Sequence, residues 1–291
     1  MEKVLWIGVG NMGFPISMNL LKSGYEVSVF DANGAVVDRA VRNGARALAG
    51  LESGVDGFDF IFTMLPNSEI LMDVVLGERG LAAFLRPGQT VIDMSTVSVA
   101  ASRACNDAIS SRSASFLRCP VNGSTLFAET AELTVISSGP EAAYRKALPL
   151  LEKISRARHY LGDGDQARLM KLAVNLMIGV TLEMFAEAAV LCEKGGIDWN
   201  TALDVFDGSS IASPQLRFKL PRLRKRDFTP ASFTRTMVKD FNLILAAARE
   251  GGVYAPVAAA AAQVFDACNA RGHAEEDFSV VLETIEAMSG L

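Results

Sequence analysis

The stretch Val4-Leu5-Trp6-Ile7-Gly8-Val9-Gly10-Asn11-Met12-Gly13 decides the reading of the fold. Four consecutive apolar residues suit a strand buried on both faces, and the glycines that follow end it. Gly8 permits a tight turn, Gly10 lets a ligand lie against bare backbone, and Gly13 allows the next helix to pack closely on the strand. A helix over residues 12–23 is expected directly after, closed by Gly24. Its free N–H groups would face an anion, and a pyrophosphate is the anion such a turn suits. A glycine fingerprint alone is weak, but this one lies between strand and helix, and Asp31 follows at the end of a second strand, Glu26–Phe30. The stretch therefore reads as a Rossmann-type dinucleotide site, with Gly8, Gly10, Asn11, Met12, Gly13 and Asp31 as nucleotide contacts. A carboxylate at Asp31 suits the ribose hydroxyls of NAD and repels the 2′-phosphate of NADP. Ala32 and Asn33 offer no arginine to hold that phosphate, so NAD is expected over NADP.

Beyond the fingerprint, short apolar runs at residues 59–64, 90–93, 115–119 and 133–137 alternate with amphipathic stretches, the pattern of βαβ units and a parallel sheet. The character changes after Gly162 and Gly164. No proline or glycine pair interrupts residues 166–194, and Leu169, Leu172, Leu176 and Val180 recur at helical spacing. One long helix is expected, with Met170, Met177 and Met184 as core packing on it. Further helices are expected over residues 199–207, 236–250, 255–271 and 278–288. The fold class is thus α/β: a Rossmann-type N-terminal domain, residues 1–162, joined by a long helix to an all-α C-terminal domain, residues 163–291, for substrate binding and oligomerisation.

Composition narrows the function classes. Half of the 291 residues are hydrophobic and 21% are charged, as in ordinary globular proteins. A formal net charge of -5 speaks against a nucleic-acid partner. One basic cluster, Arg217, Lys219, Arg222, Arg224, Lys225 and Arg226, reads as a solvated face or subunit contact. The four cysteines lack the spacing of a zinc or redox motif, and two histidines give a metal site little material. The chain opens on a buried strand, and stretches such as residues 253–264 are too short to span a bilayer, so no signal peptide, no membrane and a cytoplasmic location are expected.

Several motifs in order resemble the β-hydroxyacid dehydrogenase family, which includes 3-hydroxyisobutyrate dehydrogenase and is related to 6-phosphogluconate dehydrogenase. They are the glycine turn, Met64-Leu65-Pro66, Asp93-Met94-Ser95-Thr96, Pro120-Val121-Asn122-Gly123, Gly162-Asp163-Gly164 leading to Lys171 and Asn175, and Lys239-Asp240. The resemblance implies that Leu65 and Pro66 lie along the nucleotide and Thr96 near the nicotinamide. It implies that Lys171 is the catalytic lysine, that Asn175 holds substrate with it, and that Lys239 belongs to the nicotinamide region. The i,i+4 spacing of Lys171 and Asn175 puts both on one helical face. The family's Pro-Val-Ser-Gly-Gly reads Pro120-Val121-Asn122-Gly123-Ser124 in this chain. Asn122 and the Gly123 backbone can still donate to an acid. Ser124 adds a side chain, leaving open a sulfonate or a differently placed acid as the head group.

The resemblance thus implies an oxidoreductase that moves hydride between NAD(H) and a small β-hydroxyacid or its semialdehyde. Lysine would serve as acid and base, and the protein would be a homodimer or homotetramer. An imine reductase and a non-catalytic NAD sensor are the alternatives on the same architecture. Read without the motifs, Lys171 is a solvated helix lysine, Asn175 an interhelical hydrogen-bonder, and Lys239-Asp240 a surface ion pair.

Overall fold

The computed structural model describes residues 2–291, which form two compact units, the first ending at Lys171 and the second running from Leu172 to Leu291. In the first unit the chain runs β1 (Lys3–Ile7), α1 (Gly13–Lys22), β2 (Glu26–Phe30), α2 (Gly34–Arg42), β3 (Arg46–Ala47), β4 (Phe60–Thr63), α3 (Ser68–Leu76) and α4 (Leu81–Phe84). It continues through β5 (Thr90–Asp93), α5 (Val99–Ser110), β6 (Ser115–Arg118), β7 (Val121–Asn122), α6 (Thr125–Glu129), β8 (Leu133–Ser137), α7 (Glu141–Ile154) and β9 (Ser155–Tyr160).

Six strands pair in parallel in the order β3-β2-β1-β4-β5-β6. The order reverses between β1 and β4, the switch point at which open α/β sheets bind ligands. Register aligns the carboxyl ends there: Ile7 opposes both Phe30 and Thr63, and Thr63 opposes Asp93. The residues that leave these strands, Gly8, Asp31, Met64 and Met94, therefore emerge side by side. Alternation along the strands divides the core between two faces. Val4, Trp6, Phe60, Phe62 and Ile92 pack on one, and Leu5, Ile7, Ile61 and Val91 on the other. Strands β7, β8 and β9 make a second, three-stranded sheet.

Helix α8 (Gln166–Lys194) carries the chain from the first unit into the second. It has the expected bounds, because nothing in that run breaks a helix. The second unit adds α9 (Trp199–Gly208), α10 (Pro214–Leu223), α11 (Thr234–Glu250), α12 (Pro256–Ala270) and α13 (Val281–Met288). Its core centres on Phe241, Phe265 and Phe278, with Phe241 and Phe265 stacked at 5.3 Å. Gly179 admits the Phe241 ring: a Cβ there would lie 2.5 Å from a ring carbon.

Two expectations are corrected. Met170, Met177 and Met184 are exposed, together with Leu191, rather than packed in the core. Their seven-residue spacing follows one side of α8, whereas Leu172, Asn175, Leu182, Ala186 and Ala189 follow the buried side. In the basic cluster Lys219 departs from the expected solvated face, whereas Arg217, Arg224, Lys225 and Arg226 are exposed. Lys219 is 4% exposed and bonds both carboxylate oxygens of Asp277, at 2.6 and 2.8 Å. Arg217 pairs with Asp207 and Arg224 with Asp204, while Arg226 pairs with Glu286 and lies over the Trp199 ring. These cations answer acids on neighbouring elements, which residue order alone does not display.

Candidate active site

At the glycine turn the structure supplies a physical reason for each glycine. Gly8 has φ +92, and a Cβ on it would strike the Met64 carbonyl oxygen. A Cβ on Gly13 would strike the Gly8 carbonyl and lie 2.9 Å from Trp6 Nε1. Gly10 is the opposite case, exposed with nothing within 4 Å of where its Cβ would stand. Two glycines are thus demanded by packing, and the one between them faces open space of the kind a pyrophosphate needs. Asn11 and Met12 precede α1, exposed and half-buried respectively. Asp31 Oδ2 accepts the Val9 N–H at 2.8 Å, and Oδ1 accepts the Asn33 N–H at 2.9 Å. The carboxylate braces the turn and keeps lone pairs for ribose hydroxyls. These residues fit a dinucleotide.

Next along the sheet edge, Leu65 is half-buried and Pro66 exposed after β4. The Leu65 N–H donates to Ser95 Oγ at 2.9 Å. Ser95 Oγ in turn donates to Asp93 Oδ1 at 2.6 Å, an oxygen that also accepts the Thr63 hydroxyl at 2.6 Å. Thr96 follows Ser95 and is half-buried. Asp93, fully buried, also takes a short bond from the Arg168 guanidinium on α8. The motif Asp93-Met94-Ser95-Thr96 gives a role to Thr96 alone and none to Asp93, Ser95 or Arg168. The Asp-x-Ser pattern was visible, but Arg168 lies 75 residues away from Asp93.

Asn122, Gly123 and Ser124, the candidates for the acid group, lie in the same unit. Asn122 belongs to β7, separated from the end of β6 by two residues, and pairs with Thr134 in the second sheet. Gly123 has φ +132, and a Cβ there would lie 2.7 Å from Leu133 and 3.1 Å from Phe127, so a side chain is excluded. Ser124 Oγ is buried and has no hydrogen-bond partner.

Lys171, half-buried on α8, closes the first unit. Asn175 lies one turn on in the same helix, in the second unit, and is 6% exposed. Its amide donates to Asp240 Oδ2 at 2.6 Å, the interhelical bond that the sequence offered as the alternative to a substrate role. Lys239 Nζ stands 3.1 Å from Asp240 Oδ1, so Asp240 joins Asn175 to Lys239 within the second unit. Burial pushes the Cys105 and Cys119 thiols up to about 12, which keeps these two protonated and unreactive.

Comparison with known proteins agrees with this geometry. The NAD binding domain of 6-phosphogluconate dehydrogenase matches residues 3–162. The NAD-binding domain of NADP-dependent 3-hydroxyisobutyrate dehydrogenase matches residues 165–285. The chain belongs to the 3-hydroxyisobutyrate dehydrogenase family of β-hydroxyacid dehydrogenases. Among relatives in this family, glyoxylate/succinic semialdehyde reductase 1 of Arabidopsis thaliana is 32% identical, covering 98% of this chain and 98% of the relative. The 2-(hydroxymethyl)glutarate dehydrogenase of Eubacterium barkeri is also 32% identical, over 99% of this chain and 96% of its own length. The solved 3-hydroxyisobutyrate dehydrogenase of Mycobacterium tuberculosis with L-serine superposes with a TM-score of 0.89 at 29% identity, covering 98% of this chain and 99% of that one. Membership of this family makes the protein an oxidoreductase with a nicotinamide cofactor.

Proposed function

We propose that the protein transfers hydride between NAD(H) and a short β-hydroxyacid or the corresponding semialdehyde, with Lys171 as acid and base. The observation that carries the substrate class is the Ser124 hydroxyl, buried without a partner beside Asn122 and Gly123. Buried polar groups are seldom left unpaired, and an orphan donor beside an amide side chain suits the oxygens of an acid. The names of the relatives agree, since glyoxylate, succinic semialdehyde and 2-(hydroxymethyl)glutarate each combine a carboxylate with an aldehyde or hydroxyl.

The bound nicotinamide supplies the hydride in reduction and accepts it in oxidation. Gly8, Gly10, Asn11, Met12, Gly13, Leu65, Pro66 and Thr96 are the residues assigned to hold the nucleotide, with Lys239 in the same set. Asp31 is assigned to the ribose, which favours NAD over NADP because a second anion there would meet the carboxylate. Asn122, Gly123 and Ser124 take the acid group, and Asn175 steadies the reacting end of the substrate. In reduction Lys171 Nζ gives a proton to the carbonyl oxygen; in oxidation it takes that proton from the hydroxyl.

The test is a screen of short hydroxyacids and semialdehydes against NAD(H) and NADP(H) in parallel, followed by reduced-nicotinamide absorbance. Turnover with at least one such acid and a preference for NAD(H) are expected. Lys171→Ala should then lower turnover by about a hundredfold or more while nucleotide binding persists. Activity confined to uncharged substrates would overturn the acid pocket, and equal efficiency with NADP(H) would overturn the role of Asp31.

A further inference from the structure

The first turn of α8 is fastened to the first unit by an unusual density of polar bonds. Asp165, just ahead of the helix, accepts from Arg118 at 2.9 Å and from Arg103 at 2.6 Å. The Ala167 N–H donates to Ser138 Oγ at 3.2 Å. Arg168, 1% exposed, then spreads its guanidinium over three partners: Ser102 Oγ at 3.1 Å, the Ser95 carbonyl at 2.7 Å, and the Asp93 carboxylate. Asp93 is already fixed by Thr63, and by Ser95, whose hydroxyl also receives the Leu65 N–H. One fully buried cluster therefore ties the loop after β4, the loop that carries Thr96, and the helical turn that ends at Lys171.

Burying an ion pair is a poor route to stability, because desolvation of both charges offsets their attraction; an apolar pair of similar volume often does as well. What a planar, multiply bonded guanidinium gives that an apolar side chain cannot is fixed direction. Arg168 and Lys171 are three residues apart on α8, so they occupy neighbouring positions on one side of the helix. We propose that Arg168 is a positioning residue, which through Asp93 and Ser95 fixes where Lys171 stands relative to the Leu65 and Thr96 loops. This rests on the reading of Lys171 as the acid–base group.

The experiment is a double-mutant cycle with the best substrate from the screen, on the full chain, using Arg168→Met, Lys171→Ala and the pair together. Arg168→Met should lower kcat roughly tenfold or more, the scale on which small misplacements of a reacting group act. The KM for NAD(H) should stay within about twofold. In the Lys171→Ala background the same substitution should cost nothing further, because there is no longer a lysine to place. If Arg168→Met does not fold, Arg168→Lys keeps the charge but loses the fork, and the cycle runs with it instead. Asp93→Asn with Arg168→Met removes both charges; it should recover thermal stability and leave turnover low. Parental kcat per folded molecule, or an equal loss with and without Lys171, would reduce Arg168 to a structural residue. Normal turnover in Lys171→Ala itself would instead remove the acid–base reading, and this inference with it.

Discussion

Each unit holds one aspartate–base pair in which both side chains are almost wholly buried, and the two pairs are built differently. In the first, Asp93 meets the Arg168 fork, and its other contacts, Thr63 and Ser95, lie at the carboxyl end of β4 and just beyond β5. In the second, Asp277 meets the Lys219 ammonium and also accepts N–H bonds from Ala231 and Ser279, at 3.0 Å each. Burial works against the Asp277 carboxylate, but Lys219 and Ser279 together hold it below the usual range. Its partners are backbone groups around the isolated bridge from Phe233 to Asp277, so this pair closes a loop onto a helical core. The same chemistry fastens a helix start to the loops of the parallel sheet in one place and closes a loop in the other. A buried ion pair is therefore interpreted from what its remaining bonds touch.

The largest effect should come from Lys219→Met, which strands Asp277 as an unpaired buried charge. Loss of one partner in such a pair costs about 3–5 kcal/mol, readable as a shifted urea midpoint. Turnover per folded molecule should be unchanged, in contrast to Arg168→Met. If Lys219→Met lowered kcat as Arg168→Met is expected to, the distinction between the two pairs would collapse.

Acid should expose the second pair more gently. The folded Asp277 has a depressed pKa, so the unfolded chain binds its proton first as pH falls. Its contribution is present above the ordinary aspartate value of about 3.9 and is lost as pH falls toward the depressed folded value. Thermal midpoints of the parent and Asp277→Asn, followed from neutral pH into that range, should converge. A gap of constant size down the whole series would mean that Asp277 acts by packing alone.

The smallest effect concerns a hydroxyl with no partner at all. Ser124→Ala should leave the melting temperature unchanged or slightly higher, since it removes a buried polar group that nothing satisfies. It should raise KM for the acid substrate several-fold, consistent with one hydrogen bond of roughly 1 kcal/mol. A drop in melting temperature with unaltered KM would place Ser124 among the structural hydroxyls, beside Ser95.

Local patterns announced much of this. The glycine turn was legible because its chemistry is written in ten consecutive residues, and α8 because twenty-nine residues pass without a breaker. Strand β9, Ser-Arg-Ala-Arg-His-Tyr, escaped notice since its charged residues disguise a strand that pairs on β8. Helix α10 was hidden under a charge run, although Leu216, Leu220 and Leu223 are its buried face. Motifs single out Lys171 and Asn175 as candidates, whereas Arg168 carries no local signal because its partner, Asp93, lies on β5. Arg118 and Asp165 were missed for the same reason, being 47 residues apart. The exposed methionines of α8 show the converse limit: helical spacing alone does not say which side faces the core.

Trp6 gives the nucleotide turn a further property. Its indole is fully buried, stacked on Phe62 at 4.8 Å, and it donates a hydrogen bond to the Gly8 carbonyl at 3.0 Å. The chain has only one other tryptophan, Trp199, half-buried in the second unit. The two indoles therefore sit in different settings: Trp6 in an apolar interior against the glycine turn, and Trp199 half-buried under the Arg226 guanidinium. With Trp199 replaced by phenylalanine, the remaining fluorescence reports from directly beneath the backbone on which the dinucleotide would lie.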